Sequence, residues 1–290
     1  MSAPDPRVNA YRPDLADASL KGRVDAARFV PGEAFVVAAP QAPLRRAPSE
    51  QAPMETEALF GEGVTVFDTD AEGWAWAQLV DDRYVGYLRA EALSRAGGQP
   101  THRVAALRTF AFTTPDIKSP PLIALPLGAR VTVLGEAEDR NARYAMIGPA
   151  GAVVTQHLAP LESRAPDFTA TAEAFLGAPY LWGGKTSLGI DCSGLVQVAL
   201  NAGGFPAPRD TDMQEAEIGS ALPLDAGVPV LRRGDLVFWP GHAGIMRDGE
   251  TLLHANSHHM AVASEPLSAA KERIRLRGTE ITSIRRLSSR

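Results

Sequence analysis

The sequence predicts a chain in two parts, small all-β barrels first and an α+β domain after them. Three observations carry that prediction. From Phe29 to about Leu161, short runs rich in Val, Phe, Trp and Tyr alternate with Gly, Pro and Asp, as in small antiparallel β domains. Within that stretch the pattern repeats: "GEGVTVF" (61–67) matches "GARVTVL" (128–134), and "WAQLVDDRYVGYLRAEAL" (76–93) matches "YAMIGPAGAVVTQHLAPL" (144–161). Beyond residue 170 a helical half precedes a half of alternating strands, an α+β order.

The bulk numbers fit that layout. A length of 290 residues suggests about two or three domains. The 45% apolar and 22% charged fractions are those of an ordinary globular protein. A net charge of −5 gives no basic footprint, so nucleic acid is not expected as a partner. No run approaches the roughly 18 apolar residues that span a bilayer, so no membrane is expected either. The opening "MSAPDPRVNAYRPDLADASL" is polar and lacks the basic start and apolar stretch of a secretory signal. The single cysteine cannot form an internal disulfide. Together these predict a cytoplasmic protein.

Taken in order, residues 1–28 read as an extended or partly helical arm, with Leu15, Ala18 and Leu20 at loosely helical spacing and Gly22 as a stop. Residues 29–97 and 98–163 are the two barrel copies. At about 65–70 residues each is marginal alone, so the pair is expected to pack together. "ESRAPDFTA" (162–170) is the predicted linker into a last domain over 164–290. There a helix is expected at Ala170–Leu176 and another at Cys192–Ala202, ended by Gly203 and Gly204. "PVLRRGDLVFWPG", "HAGIMRDG", "ETLLHANS" and "IRLRGTEITSIRRL" then read as strands.

The lone Cys192 sits at the start of that second helix, where unpaired backbone N–H groups and the macrodipole favour an anion. Thiols so placed fall to roughly 3.5–7.5 from about 8.5. Asp191 is suited to cap the helix, and Ser193 adds a polar group in its first turn. Against this, free cysteines often pack as small hydrophobes. Position alone leaves both readings open.

A cysteine nucleophile needs a base and an orienting group. Of six histidines, His102 and His157 fall in the repeats, while His242, His254, His258 and His259 follow the cysteine. "GHAGIMRDGETLLHA" reads as a β-hairpin. A three-residue loop Arg247-Asp248-Gly249, with Gly249 left-handed, pairs His242 with His254 on one face. A two-residue Asp-Gly loop turns the rings to opposite faces, so the idea depends on register. "HANSHH" also admits a zinc reading with Cys192 as a further ligand, but neighbours His258 and His259 on a strand point apart.

The motifs "YLWGG", "DCSGLV", "PRDTDMQ", "RRGDLVFW", "GHAGI" and "LLHANS" stand in order over residues 170–290 and resemble the series of NlpC-type papain-like cysteine peptidases. The resemblance implies a papain-like fold with Cys192 as nucleophile, His242 as base and His254 as its orienting partner. It implies a hydrolase acting on the bond between γ-D-glutamate and a diamino acid, with no cofactor. Two SH3-like barrels ahead of the peptidase resemble the cytoplasmic cell-wall-recycling members of the dipeptidyl-peptidase VI type. Their substrate is a murein peptide such as L-Ala-γ-D-Glu-meso-diaminopimelate with a free N-terminus. Carried over, Tyr84 contacts the substrate N-terminus; the second repeat has Ala152 at that place. Asp210 is suited to the ammonium and Thr211 stands beside it, where family members often have serine. Tyr180, Trp182, Asp191 and Ser193 line the cleft, with Trp182 equally readable as core. Glu55, Glu57 and Glu62 are not separable as a further acidic contact. The rival readings are an exported hydrolase of intact wall and a non-catalytic wall-binding module.

Overall fold

The structure is a computed structural model that describes residues 4–95, 98–149, 151–224 and 230–288. The chain divides into two compact units, Met1–Ser163 and Arg164–Arg290.

In the first unit the repeat is visible as structure. A seven-stranded antiparallel sheet runs, edge to edge, through Leu93–Ser94, Glu33–Val37, Gly63–Thr69, Trp74–Leu79, Val85–Arg89, Gln41–Arg45 and Met54–Leu59. It closes on a core of Val37, Leu44, Val64, Leu79, Tyr84 and Leu88. The second copy repeats the order strand, strand, 3-10 turn, strand at Arg143–Ile147, Ala152–Val154, Thr155–His157 and Leu158–Pro160. Its core is Val104, Leu125, Val131, Ile147 and Val153. The copies do pack together. The Arg130 N–H donates to the Phe60 carbonyl at 2.8 Å, and Arg130 pairs with Asp81. Gly61, at φ +77°, makes that approach possible, because a Cβ there would lie 2.2 Å from the Arg130 oxygen.

The arm is extended with one helical turn. Leu15–Asp17 is a short strand, antiparallel to Tyr11–Arg12 and parallel to Phe29–Val30, followed by one 3-10 turn at Ala18–Leu20. Burial decides it: Ala10 and Leu15 pack on Phe67 and Trp76 of the first barrel, and the Arg12 guanidinium lies over the Trp76 ring.

The second unit is α+β. Its elements are α1 (Phe168–Glu173), α2 (Cys192–Ala202), α3 (Thr211–Glu217), β1 (Ser220–Ala221), β2 (Leu236–Trp239), β3 (His242–Met246), β4 (Thr251–Asn256), β5 (Ala261–Pro266), α4 (Leu267–Arg275) and β6 (Ser283–Arg286). These six strands form one sheet in the order β1-β6-β2-β3-β4-β5, and Lys185–Thr186 pairs with Gly189–Ile190 as a separate two-stranded ribbon ahead of α2. Helix α1 starts two residues earlier than expected, because the Asp167 carboxylate accepts the Thr169 and Ala170 N–H groups and sets the cap there. The bounds of α2 are those the sequence predicts, with Gly204 at φ +79° past its end. "IRLRGTEITSIRRL" is not one strand: its start belongs to α4, and only Ser283–Arg286 joins the sheet. Strand β5 was not expected from the sequence.

Candidate active site

Helix α2 presents Cys192 from a tightly held first turn. The Asp191 carboxylate caps the helix, one oxygen accepting the Gly194 N–H and the other the Gly183 N–H, both at 2.7 Å. Arg209, 1% exposed, reaches in from the segment before α3. Its guanidinium donates to both Asp191 oxygens, at 3.0 and 2.7 Å, and to the Ser193 hydroxyl at 2.7 Å. Gln214 of α3 donates to the carbonyls of Ser193 and Pro208. The turn also sits against backbone, since a Cβ on Gly194 would lie 2.3 Å from the Gly184 oxygen.

Opposite it, Pro240-Gly241 links β2 to β3 as a two-residue turn, with Gly241 at φ +72°. His242 is the first residue of β3. The register of the next hairpin differs from expectation. Met246 pairs with Leu252 and Ile245 with Leu253, which sets His254 opposite Gly244 rather than His242. The loop is centred on Gly249 instead of Asp248: the Arg247 N–H donates to the Thr251 carbonyl at 2.8 Å, the Asp248 carboxylate accepts the N–H groups of Glu250 and Thr251, and Gly249 is not left-handed. The shift is two residues, so facing is preserved and both imidazoles project from one face. His242 Nε2 and His254 Nδ1 lie 2.8 Å apart. His254, fully buried, meets Glu265 of β5 through Nε2 at 2.9 Å, and Arg273 of α4 grips Glu265, with 2.6 Å to Oε2. The Trp239 ring stands 5.6 Å from that of His242.

The electrostatics correct one expectation. Cys192 is 7% exposed, and burial pushes its thiol up to about 11, against the N–H groups of Ala243 and Ser193 and the charge of Arg209. Asp191 adds to the rise. The helix start alone does not make a resting thiolate. Burial likewise lowers His242 to about 3 and His254 to about 4, so both imidazoles are neutral at pH 7. The resting arrangement is a neutral thiol on the helix and a neutral histidine pair on the sheet. The Ala243 N–H that meets the sulfur belongs to the residue after His242, which ties the thiol to the strand bearing that imidazole.

The other predicted residues divide. Tyr180 is half-buried, and its hydroxyl is pushed up to about 12 by burial first and then by its neighbours Cys192 and Asp191. Trp182 is 60% exposed, which removes the core reading. Asp191 and Ser193 flank Cys192, and both side chains are buried, that of Asp191 held by the Gly183 and Gly194 N–H groups and Arg209, that of Ser193 by Arg209 and Asp191. Asp210 and Thr211 start α3, next in the chain to the anchored Arg209. Tyr84 belongs to the first unit, where it is 3% exposed within the barrel core. Of the three glutamates, Glu57 is buried beside Gln41, Glu55 pairs with Arg46, and Glu62 holds the Leu59 N–H.

Arg209, Gln214, Glu265 and Arg273 carried no role in the sequence reading. Among the described residues, His254, His259 and Glu265 bring ligand atoms within 4.8 Å of one another. A cation there has to displace Arg273 from Glu265, and Cys192 is not part of the group. No helix among the described residues is long and apolar enough to cross a membrane.

Comparison with known proteins points to one family. Residues 44–93 match the bacterial dipeptidyl-peptidase Sh3 domain, and residues 177–276 match the NlpC/P60 family. A gamma-D-glutamyl-L-lysine dipeptidyl-peptidase of Bacillus subtilis is 31% identical over 232 residues, 70% of this chain and 72% of the relative. A dipeptidyl-peptidase 6 of Lysinibacillus sphaericus is 27% identical over 241 residues, 76% of this chain and 87% of the relative. In fold, the chain is similar to a Bacillus cereus NlpC/P60 family protein, with a TM-score of 0.71 at 20% identity over 88% of this chain and 99% of that one. A capped helix presenting a lone cysteine to a histidine pair is the arrangement a thiol peptidase needs, and the chain belongs to the NlpC/P60 family of cysteine peptidases, its α+β papain-like domain preceded by two small SH3-like barrels.

Proposed function

We propose that the protein is a cysteine endopeptidase that cuts the amide between γ-D-glutamate and a diamino acid in murein peptides with a free N-terminal L-Ala. The observation that carries this reading is the 2.8 Å pairing of His242 with His254 on the strand whose next N–H meets the Cys192 sulfur. Cys192 Sγ attacks the γ-carbonyl carbon as its proton passes to His242. Backbone N–H at the start of α2 stabilises the oxyanion. His242 then protonates the leaving amine, which breaks the amide and leaves a thioester. Water, deprotonated by His242, hydrolyses the thioester, releases the L-Ala-D-Glu dipeptide and restores the thiol. Cys192, His242 and His254 are thus nucleophile, base and orienting partner. No step calls for a metal or organic cofactor.

The name of the Bacillus subtilis relative supports a γ-D-glutamyl substrate. It carries lysine, whereas the motif resemblance implies meso-diaminopimelate; the amide cut is the same. Asp210 complements an ammonium and stands beside Arg209, whose anchor is the cap of the Cys192 helix. Thr211, Tyr180 and the exposed Trp182 complete the substrate side, and Tyr84 is the barrel residue assigned to the same N-terminus. We place the reaction in the cytoplasm, on peptides released during wall turnover; cell fractionation tests that setting.

The test is mass spectrometry of L-Ala-γ-D-Glu-meso-diaminopimelate and its L-Lys counterpart, each free and N-acetylated, with Cys192→Ala as control. Release of L-Ala-D-Glu from the free peptides only, and none with the variant, is expected. Equal cleavage of acetylated peptides removes the free-amine requirement and the role of Asp210. No cleavage of any of them overturns the reading.

A further inference from the structure

The proton positions in the histidine chain follow from its far end. Glu265 is ionised: burial alone would raise its carboxyl, but Arg273 and His254 bring it down to about 2. A carboxylate only accepts, so His254 Nε2, 2.9 Å away, carries a hydrogen. In a neutral imidazole the other nitrogen is then bare, and His254 Nδ1 is the acceptor of the 2.8 Å bond with His242. His242 Nε2 must donate that bond. Its own remaining nitrogen, Nδ1, is therefore unprotonated and able to take a proton from sulfur. With Glu265 gone, His254 can hold its hydrogen on Nδ1 instead, which turns the 2.8 Å contact around and puts the proton of His242 on the nitrogen that should be bare.

We propose that Glu265, clamped by Arg273, is a positioning residue that sets the tautomer of His254 and, through it, leaves Nδ1 of His242 open as the base for Cys192. The inference rests on the peptidase reading for its consequence but not for its geometry. Glu265 reaches His254 across β4 and β5: His254 pairs with Ala263, so Glu265 lies diagonally on the same face. Arg273 comes from α4, eight residues beyond, and holds both carboxylate oxygens. The charged and titratable groups around the pair are Glu265, Arg273, His259 and Cys192, together with each imidazole facing the other. Glu265 raises both histidines and Arg273 lowers both, so the two residues act on the base with opposite sign.

The test uses the full chain with Glu265→Gln and Arg273→Met. For Glu265→Gln, kcat should fall about 10- to 100-fold with KM nearly unchanged, the range for partners standing behind site histidines. The acid limb of kcat/KM should move to lower pH in Glu265→Gln and to higher pH in Arg273→Met. A merely structural role predicts no such opposition. Imidazole 15N spectra of the Cys192→Ala protein, with and without Glu265→Gln, read the tautomers without any turnover. Nε2-protonated His254 in the first, and a new Nδ1-protonated population in the second, are expected. An Nδ1-protonated His254 in the presence of Glu265, or acid limbs that do not part in opposite directions, overturns the proposal. If the wild-type chain hydrolyses no murein peptide, the peptidase reading fails while the spectra still decide the role of Glu265.

Discussion

Replacing Arg209 by methionine should cost the second unit more than any single change on its surface. The guanidinium is buried and supplies three hydrogen bonds at 2.7–3.0 Å, two of them to the carboxylate that caps the Cys192 helix. Removing it leaves Asp191 buried, charged and supported only by the N–H groups of Gly183 and Gly194 and the more distant Ser193 hydroxyl. Breaking one side of such a pair costs about 3–5 kcal/mol. In a unit of this size that lowers the melting temperature by roughly 10–20 °C. Asp191→Asn keeps the cap, because asparagine also accepts from the Gly194 N–H, but removes the charge. The double variant should therefore be more stable than Arg209→Met alone, with a coupling of about 2 kcal/mol. Denaturant unfolding followed by far-UV circular dichroism, on the four proteins of the cycle, measures this. A change below about 1 kcal/mol for Arg209→Met, within the range of an exposed pair, or a double variant no better than the single, would refute the reasoning.

Three further outcomes follow from the same geometry. His254 is held near 4 against its ordinary 6.5, so between those values the unfolded chain binds more protons. Stability of the second unit should accordingly fall as pH drops from 6.5 through 4, and His254→Asn should flatten that slope in pH-dependent melting curves. Glu173, brought down to about 2 by hydrogen bonds from Arg233 and Arg247, contributes stability that is complete above about 4.5 and lost as pH falls through 2; Glu173→Gln should remove this lower slope. Gly194→Ala forces a methyl into the Gly184 carbonyl and should cost about 3 kcal/mol or more, with activity lost in the fraction that folds; an unchanged melting temperature contradicts the packing described.

How much of this was legible in the sequence depended on whether the deciding contact was local. Helix α2 was readable to the residue, because Asp191 and the Gly203-Gly204 pair sit at its two ends and act within one turn. The doubling of the barrel was readable because each copy keeps the same strand and turn order. The arm was readable only as extended or partly helical, since what fixes Leu15–Asp17 as a strand is Phe67 and Trp76, some fifty residues on. The histidine hairpin was half readable: parity followed from alternation, whereas register turned on Asp248 capping two N–H groups in the loop. In "PRDTDMQ" neighbouring side chains point to different sides, and the motif does not say that Arg209 is the one turned inward. Glu265 was hidden for a different reason. Its strand pairs with β4 only after the irregular "SHHM" turn, so its diagonal to His254 exists only once the register is known. The resting thiolate failed because the helix-start argument omits burial, which here acts in the opposite direction and is larger.

The central claim is that Cys192 carries the acyl group of a γ-D-glutamyl peptide. Intact-protein mass spectrometry after rapid acid quenching, with L-Ala-γ-D-Glu-diamino acid tripeptide in excess, tests it directly. A transient adduct of the L-Ala-D-Glu acyl mass is expected on the intact chain, mapping after digestion to the peptide that contains Cys192, and absent from Cys192→Ala. Hydrolysis that persists in Cys192→Ala, or turnover with the adduct on another residue, contradicts it.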